Sequence, residues 1–303
     1  MRGRCAPYPR VAAYVTRLAA GLDPALRERV LAQASAGRGV EAALEPLLGA
    51  GWSRDDASAA LEVLLEEHVT ALARAKSLPA PVRVPAPAGL NGRAVMRLPD
   101  RDVNVLANLV HPRVIVFGDL LSRSECDGLI AQARGSLVPS TVVSSATGAG
   151  EQHDGRTSEG ATLVRGCSLL VKRIEQRIAA LTDWPVDHGE DLQILHYRTG
   201  AQYRPHYDYF DPLAAGTPAN VAQGGQRVAS LVMYLSTPHE GGATVFPDIQ
   251  LEVAAVRGNA VFFSYDMPHP MTRTLHGGAP VIDGEKWIAT KWFREREWRS
   301  LSP

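Results

Sequence analysis

Four prolines stand among the thirteen residues of "SLPAPVRVPAPAG", Ser77 to Gly89. Proline has no N–H to donate and its ring clashes with the preceding turn, so neither a helix nor a central strand can run through such a stretch. It reads as a semi-rigid linker. The chain of 303 residues therefore divides into a region before it, 1–76, the linker, 77–90, and a larger domain, 91–303. The first region has helical signals throughout. Asp23 caps a helix with Pro24 in its first position, and "ALRERVLAQASA" runs on to Gly37. Val40 to Leu48 is a second helix. Ser53 and Asp56 have capping-box-like spacing before a third, in which Leu61, Leu64, Leu65, Val69 and Leu72 share one face. A small all-α packing or dimer-contact region is predicted, and a homodimer is one expectation that follows.

Beyond the linker the pattern changes. "RVIVFGDLL" reads as a strand, "SRSECDGLIAQARGSL" as a helix opened by Ser122 and Glu125, and "CSLLVKRIEQRIAALT" as another helix. Pro139 to Gly160, rich in Ser, Thr and Gly, reads as a long loop. Then come short β-like runs, "LQILHY", "YRPHYDYF", "RVASLVMYLS", "NAVFFSY" and "KWIATKWF", separated by Gly, Pro, Asn and Asp. Helices followed by a set of strands predict an α+β domain with a β-sandwich or barrel.

Lys plus Arg (32) balance Asp plus Glu (32), which argues against duplex nucleic acid or an anionic membrane as a partner. No apolar run reaches the roughly 18 residues of a membrane span. Cys5, Cys126 and Cys167 form no C-x-x-C pair, and their odd number gives no disulfide framework, so a reducing, cytoplasmic setting is expected. The N-terminal "MRGRCAPYPRVAAYVTRLAAG" is Arg-rich, but Arg10 and Arg17 interrupt any secretory apolar core.

The stretch "YRTGAQYRPHYDYF", Tyr197 to Phe210, sets His206 and Asp208 two apart among four tyrosines. On a strand, residues two apart project from one face. Imidazole and carboxylate are both metal ligands, and two histidines with one carboxylate leave positions open for substrate and gas at a non-haem Fe(II) centre. Two downstream histidines, His269 and His276, are available for the third ligand. Lys286 opens "KWIATKWF", and counting by two puts Ile288, Thr290 and Trp292 on its face. A lysine buried there needs a counter-charge, which a dicarboxylate would supply.

Together "YRTGAQYRPHYDYF", "RVASLVMYLSTPHEGGATVFP", "RGNAVFFSY" and "LHGGAPVIDGEKWIATKWFRER" strongly resemble the catalytic domain of prolyl 4-hydroxylases, with "VIVFGDLLSRSECDGLI" and "GRTSEGATL" extending the likeness to roughly residues 112–298. The resemblance implies a double-stranded β-helix, or jelly roll, with supporting helices. It implies a dioxygenase using Fe(II), 2-oxoglutarate and O2, with ascorbate as reductant, and a proline-containing peptide or protein as substrate. Carried over, His206, Asp208 and His276 would hold the iron and His269 has no role. Lys286, Tyr197 and Thr244 would hold 2-oxoglutarate. Tyr203, Arg227 and Trp292, and with them Arg156, Ser158 and Glu190, would face the substrate. The chain departs from the pattern in "RVAS", in "GGAT", where Ala243 replaces the usual glutamate, and at Arg257. None of these is a ligand position. A free amino acid or other small metabolite, or a non-catalytic oxygen-responsive role, is the alternative.

Overall fold

The computed structural model describes residues 22–36, 38–75, 78–87, 90, 92–151 and 153–299. The chain divides into two units, Met1–Ala80 and Pro81–Pro303.

In the first unit three helices are described: α1, Pro24–Ser35, α2, Gly39–Gly49, and α3, Arg54–Ala75. The Asp23 side chain accepts from the amide of Leu26, satisfying one of the donors that a helix start leaves unpaired. Ser53 does the same for Asp56 at α3. Val30, Leu44, Leu47, Leu61 and Leu64 close the core of this unit. The apolar face of α3 is covered only in part, because Val69 and Leu72 are exposed. No described helix is long and apolar enough to cross a membrane.

The second unit opens with a meander, β1, Val95–Arg97, β2, Asp102–Leu109, and β3, Arg113–Gly118, followed by α4, Arg123–Ala133. Four short strands come next: β4, Val138–Pro139, β5, Val142–Val143, β6, Gly150–Glu151, and β7, Glu159–Leu163. Then follow α5, Leu169–Thr182, β8, Leu192–Tyr197, β9, Tyr203–His206, and the short α6, Thr217–Ala222. The remaining strands are β10, Arg227–Tyr234, β11, Glu240–Gly241, β12, Thr244–Phe246, β13, Leu251–Val253, and β14, Ala260–Ser264. The last three are β15, His276–Gly278, β16, Val281–Asp283, and β17, Lys286–Arg294.

These strands make a major antiparallel sheet in the order β1-β2-β3-β14-β10-β17-β8-β7-β4 and a minor sheet in the order β13-β12-β15-β9. Two facing antiparallel sheets with helices on one outer side are the expected α+β jelly roll. The period of two along each strand sorts side chains between two cores. Leu231, Met233, Phe262 and Trp287 meet Leu129 of α4 and Ile174 and Ile178 of α5 on the helix side. Val232, Tyr234, Phe263 and Ile288 face inward, with Phe246 of the minor sheet. The capping box of Ser122 and Glu125 fixes the start of α4. Arg177 of α5 then grips the same Glu125 at 2.7 and 2.9 Å. Burial would raise the carboxyl of Glu125, but its bonds from Arg177 and the Ser122 amide bring it down to about 2. The two helices are thereby locked behind the sheet.

Three local expectations are corrected. The proline-rich stretch is not a free linker throughout: Val82 and Val84 pack on the core of the second unit. The Val82 and Ala86 amides donate to Asp266 and Thr182. Prolines cannot give those bonds, but the residues between them can. The segment from Pro139 to Gly160 is not one loop, since β5 and β6 lie in it and β4 and β7 reach into its ends; the two-residue strands are too short to show a period. The strand read through "YRPHYDYF" stops at His206, and Asp208 lies in a bend beyond it.

Candidate metal centre and substrate groove

The antiparallel pairing of β9 with β15 sets His206 opposite His276, with ring centroids 4.4 Å apart. Each imidazole donates through Nδ1 to the carbonyl two residues before it, His206 to Arg204 at 2.9 Å and His276 to Thr274 at 3.0 Å. That choice of tautomer leaves both Nε2 lone pairs free and turned inward. Asp208 meets them there, Oδ1 3.6 Å from His206 Nε2 and Oδ2 3.4 Å from His276 Nε2. One donor atom from each residue lies within 4.8 Å of the others. Burial and the neighbouring His276 push the His206 imidazolium down, which favours the neutral base. Burial would raise Asp208, yet the two histidines beside it hold it well below the usual carboxylate range, so it stays an anion. Two imidazole nitrogens and an anionic oxygen with open positions fit a ferrous ion.

Asp208 has a further partner. The Ser230 hydroxyl of β10 donates to its Oδ2 at 2.6 Å and lies 3.0 Å from the Tyr265 hydroxyl. Neither residue stood out in the sequence, because a serine and a tyrosine inside apolar strands look like ordinary filling; the polar atom on an inward position of "RVASLVMY" was the available signal.

Below the triad a narrow cavity runs between the sheets, lined by Tyr197, Thr244, Gly278, Lys286, Ile288, Thr290 and Trp292. The face read by counting from Lys286 does line one space. Lys286 opens β17, opposite Tyr197 at the end of β8. It is 2% exposed and, among the described residues, meets no carboxylate. Its nearest rings are Tyr197 and Tyr234, at 5.4 and 5.9 Å. Burial lowers its ammonium to about 8. A Cβ on Gly278 would come 3.7 Å from Nζ, so the glycine leaves that approach open. Tyr234 donates to Thr244 Oγ1 at 2.9 Å, which frees the threonine proton for a ligand. A buried cation, a hydroxyl donor and a tyrosine suit a dicarboxylate that reaches the triad with its other end.

Above the triad the cavity opens into a groove of about 580 Å³. Tyr203, Arg156 and Trp292 line both spaces. Tyr203 stacks on His206 at 3.7 Å, and the Arg156 guanidinium lies 4.8 Å over Tyr203 while donating to Thr141 and Gln193. Arg227 lies 4.0 Å over Trp292 and 4.8 Å over Phe210. Glu190 holds it by two bonds of 2.7 and 2.9 Å, so its charge is already paired. Trp292 Nε1 is buried with no hydrogen-bond partner among the described residues. Ser158 does not line the groove; it is buried and donates to Ser140 at 2.9 Å. His269 is outside the site, its Nδ1 accepting from the Met271 amide.

The two walls of the groove touch. The β5–β6 hairpin supplies Ser144 and Ser145 to one wall, and the segment around α6 supplies Ala214, Thr217 and Asn220 to the other. They are joined by the Gly216 amide donating to Ser145 at 2.9 Å. A Cβ on Gly216 would fall 2.7 Å from the Gly148 Cα, so glycine is required here by close approach.

Residues 192–294, from β8 to the end of β17, match the model of the 2OG-Fe(II) oxygenase superfamily. The chain is 41% identical over 209 residues to Probable prolyl 4-hydroxylase 3 of Arabidopsis thaliana, covering 62% of this chain and 71% of that protein. It is 40% identical to Prolyl 4-hydroxylase 5 of the same plant, covering 62% and 70%. It is also similar to the crystal structure of a viral collagen prolyl hydroxylase from Paramecium Bursaria Chlorella virus-1 in complex with 2-oxoglutarate, at 30% identity and a TM-score of 0.47, over 60% of this chain and 95% of that one. The family model and the plant relatives make the chain a 2-oxoglutarate- and Fe(II)-dependent dioxygenase. Within that class the chain belongs to the prolyl 4-hydroxylase family.

Proposed function

We propose that the enzyme hydroxylates a prolyl residue within a peptide or protein. His206, Asp208 and His276 would hold Fe(II), and Lys286, Thr244 and Tyr197 would hold 2-oxoglutarate. The bound iron and cosubstrate supply the oxidising power that inserts one oxygen atom into a C–H bond, with succinate and CO2 released. The chain's own residues do the rest. Lys286 neutralises the far carboxylate, and the two imidazoles and Asp208 are held in place by their own hydrogen bonds. Tyr203 and Trp292 offer flat faces at the mouth of the metal site and exclude water from it. Arg227, paired to Glu190, holds the plane of Trp292.

The observation that carries the peptide reading is the groove. It holds about 580 Å³ along a lining that includes His153, Arg156, Asn220 and Trp298 as well as His206 and Asp208. A free amino acid would leave most of that volume empty, whereas an extended proline-rich chain, already ordered as polyproline II, would fill it at low entropic cost. The names of the Arabidopsis relatives support the prolyl target. Ascorbate as reductant and a cytoplasmic setting belong to the same reading; the free thiols of Cys126 and Cys167 support the latter.

The test is succinate release with Fe(II) and ascorbate, together with mass spectrometry for the gain of one oxygen on proline. Proline-rich peptides should be turned over and free proline should not. Trp292→Ala should reduce peptide turnover while leaving uncoupled 2-oxoglutarate decay near wild type. Turnover of free proline with none on peptides would replace this reading by the small-metabolite one.

A further inference from the structure

Of the three side chains at the metal centre, two are tethered to backbone. Both imidazoles are held by their Nδ1 bonds to the Arg204 and Thr274 carbonyls. Among the described residues, the Asp208 carboxylate has no such anchor. It follows the end of β9, in a bend, and its carboxylate could turn about its last bond. Its one side-chain hydroxyl partner is Ser230, at 2.6 Å. Ser230 is on β10 and Tyr265 follows β14, and these two strands are paired in the middle of the major sheet. The three residues are 6%, 0% and 2% exposed, so water does not compete for these bonds.

The direction of the chain follows from counting protons. An ionised carboxylate only accepts, and Ser230 has a single hydroxyl proton. That proton is committed to Asp208 Oδ2, so the 3.0 Å contact between Ser230 and Tyr265 must be a donation from the tyrosine. Tyr265 therefore donates to Ser230, and Ser230 donates to Asp208, each bond polarising the next.

We propose that Ser230, backed by Tyr265, is the positioning residue of the metal centre: it locks the rotation of the Asp208 carboxylate and ties the ligand on the minor-sheet side to the floor of the major sheet. This rests on the reading of His206, Asp208 and His276 as the metal ligands. Removing a hydrogen-bond partner of a ligand costs about 10- to 100-fold in metal affinity.

Titration of the full chain with Co(II), followed by its visible absorption and without cosubstrate or turnover, measures that cost. Ser230→Ala should bind Co(II) about 10- to 100-fold more weakly than wild type, and Ser230→Thr, which keeps the hydroxyl, should bind within about threefold of it. Tyr265→Phe should fall between. Thermal melting of each metal-free variant checks folding. If folded Ser230→Ala binds like wild type while His206→Ala does not bind, the positioning role is overturned and the metal site stands. If Ser230→Thr loses as much affinity as Ser230→Ala, the space and not the hydroxyl matters, and the role is likewise overturned. If His206→Ala binds like wild type, the ligand reading itself falls, and the positioning role with it.

Discussion

Lys286 is a cation that folding has made expensive. Its ammonium is lowered from 10.5 to about 8 by burial alone, a penalty of roughly 3 kcal/mol at neutral pH by the usual conversion. The unfolded chain holds that proton more tightly than the folded one between about pH 8 and 10.5, so this residue's penalty shrinks, and stability rises, as pH climbs through that window. A bound dicarboxylate works in the opposite sense, because it needs the charged form. Apparent affinity for 2-oxoglutarate, measured by calorimetry with a redox-inert metal, should therefore be flat below pH 8 and fall by up to about tenfold per unit above it. Lys286→Ala should abolish that dependence and weaken binding by roughly ten- to more than a hundredfold. A second expectation is that His276→Ala abolishes Fe(II) binding and turnover, whereas His269→Ala leaves both within about twofold. Residue-scale legibility was uneven for a physical reason. The pair His206 and Asp208 was visible as two ligand types two apart, although the strand carrying them ends between the two and Ser230 supplies the orientation that pleating was expected to give. By spacing alone His269 and His276 could not be told apart, because what selects His276 is its register against His206 across β9 and β15.

At the scale of elements, the long strands were readable because each buries a full run: β10 and β17 lie against neighbours on both sides and pack on both faces. The meander of β1 and β2 went unread, although the alternation in "DVNVLANL" carried the signal. The hairpin β5–β6 had none, since two-residue strands of "VV" and "GE" obey no period and are held by what they touch. What they touch is testable. Gly216 has an ordinary φ of −79°, so alanine there carries no backbone penalty, and its cost is the clash with the backbone of Thr147 and Gly148. Gly216→Ala should push the hairpin away from α6 and raise KM for a proline-rich peptide about five- to tenfold, roughly the 1–1.4 kcal/mol of one lost wall contact. The 2-oxoglutarate constant, set in the cavity below, should not move. A peptide KM equal to wild type would mean that the wall-to-wall contact has no part in binding.

On the scale of the whole molecule, the two units differ in how much of their function the sequence exposed. The second was legible from its motifs, since a metal centre demands particular residue types. The helical unit was legible as helices only: caps and apolar spacing report that a segment packs, not what it is for. The border can be tested by fragments. One beginning at Pro81 should fold and bind Fe(II) like the full chain, because every residue of the metal centre lies beyond it. One beginning at Leu90 loses Val82, Val84 and two backbone bonds to the core of its own unit. That is about 2–4 kcal/mol, and its melting temperature should drop by roughly 5–10 °C. The joined walls of the groove, in turn, decide what this enzyme can perceive of a target. For a peptide substrate, walls joined at Gly216 and Ser145 favour a single extended chain over a helix about 10 Å across or a strand still paired to its neighbours. On the peptide reading, a proline inside a finished fold is out of reach and the same proline in an unstructured tail is not. Hydroxylation would then be a record of which segments of a partner were unfolded when the two met.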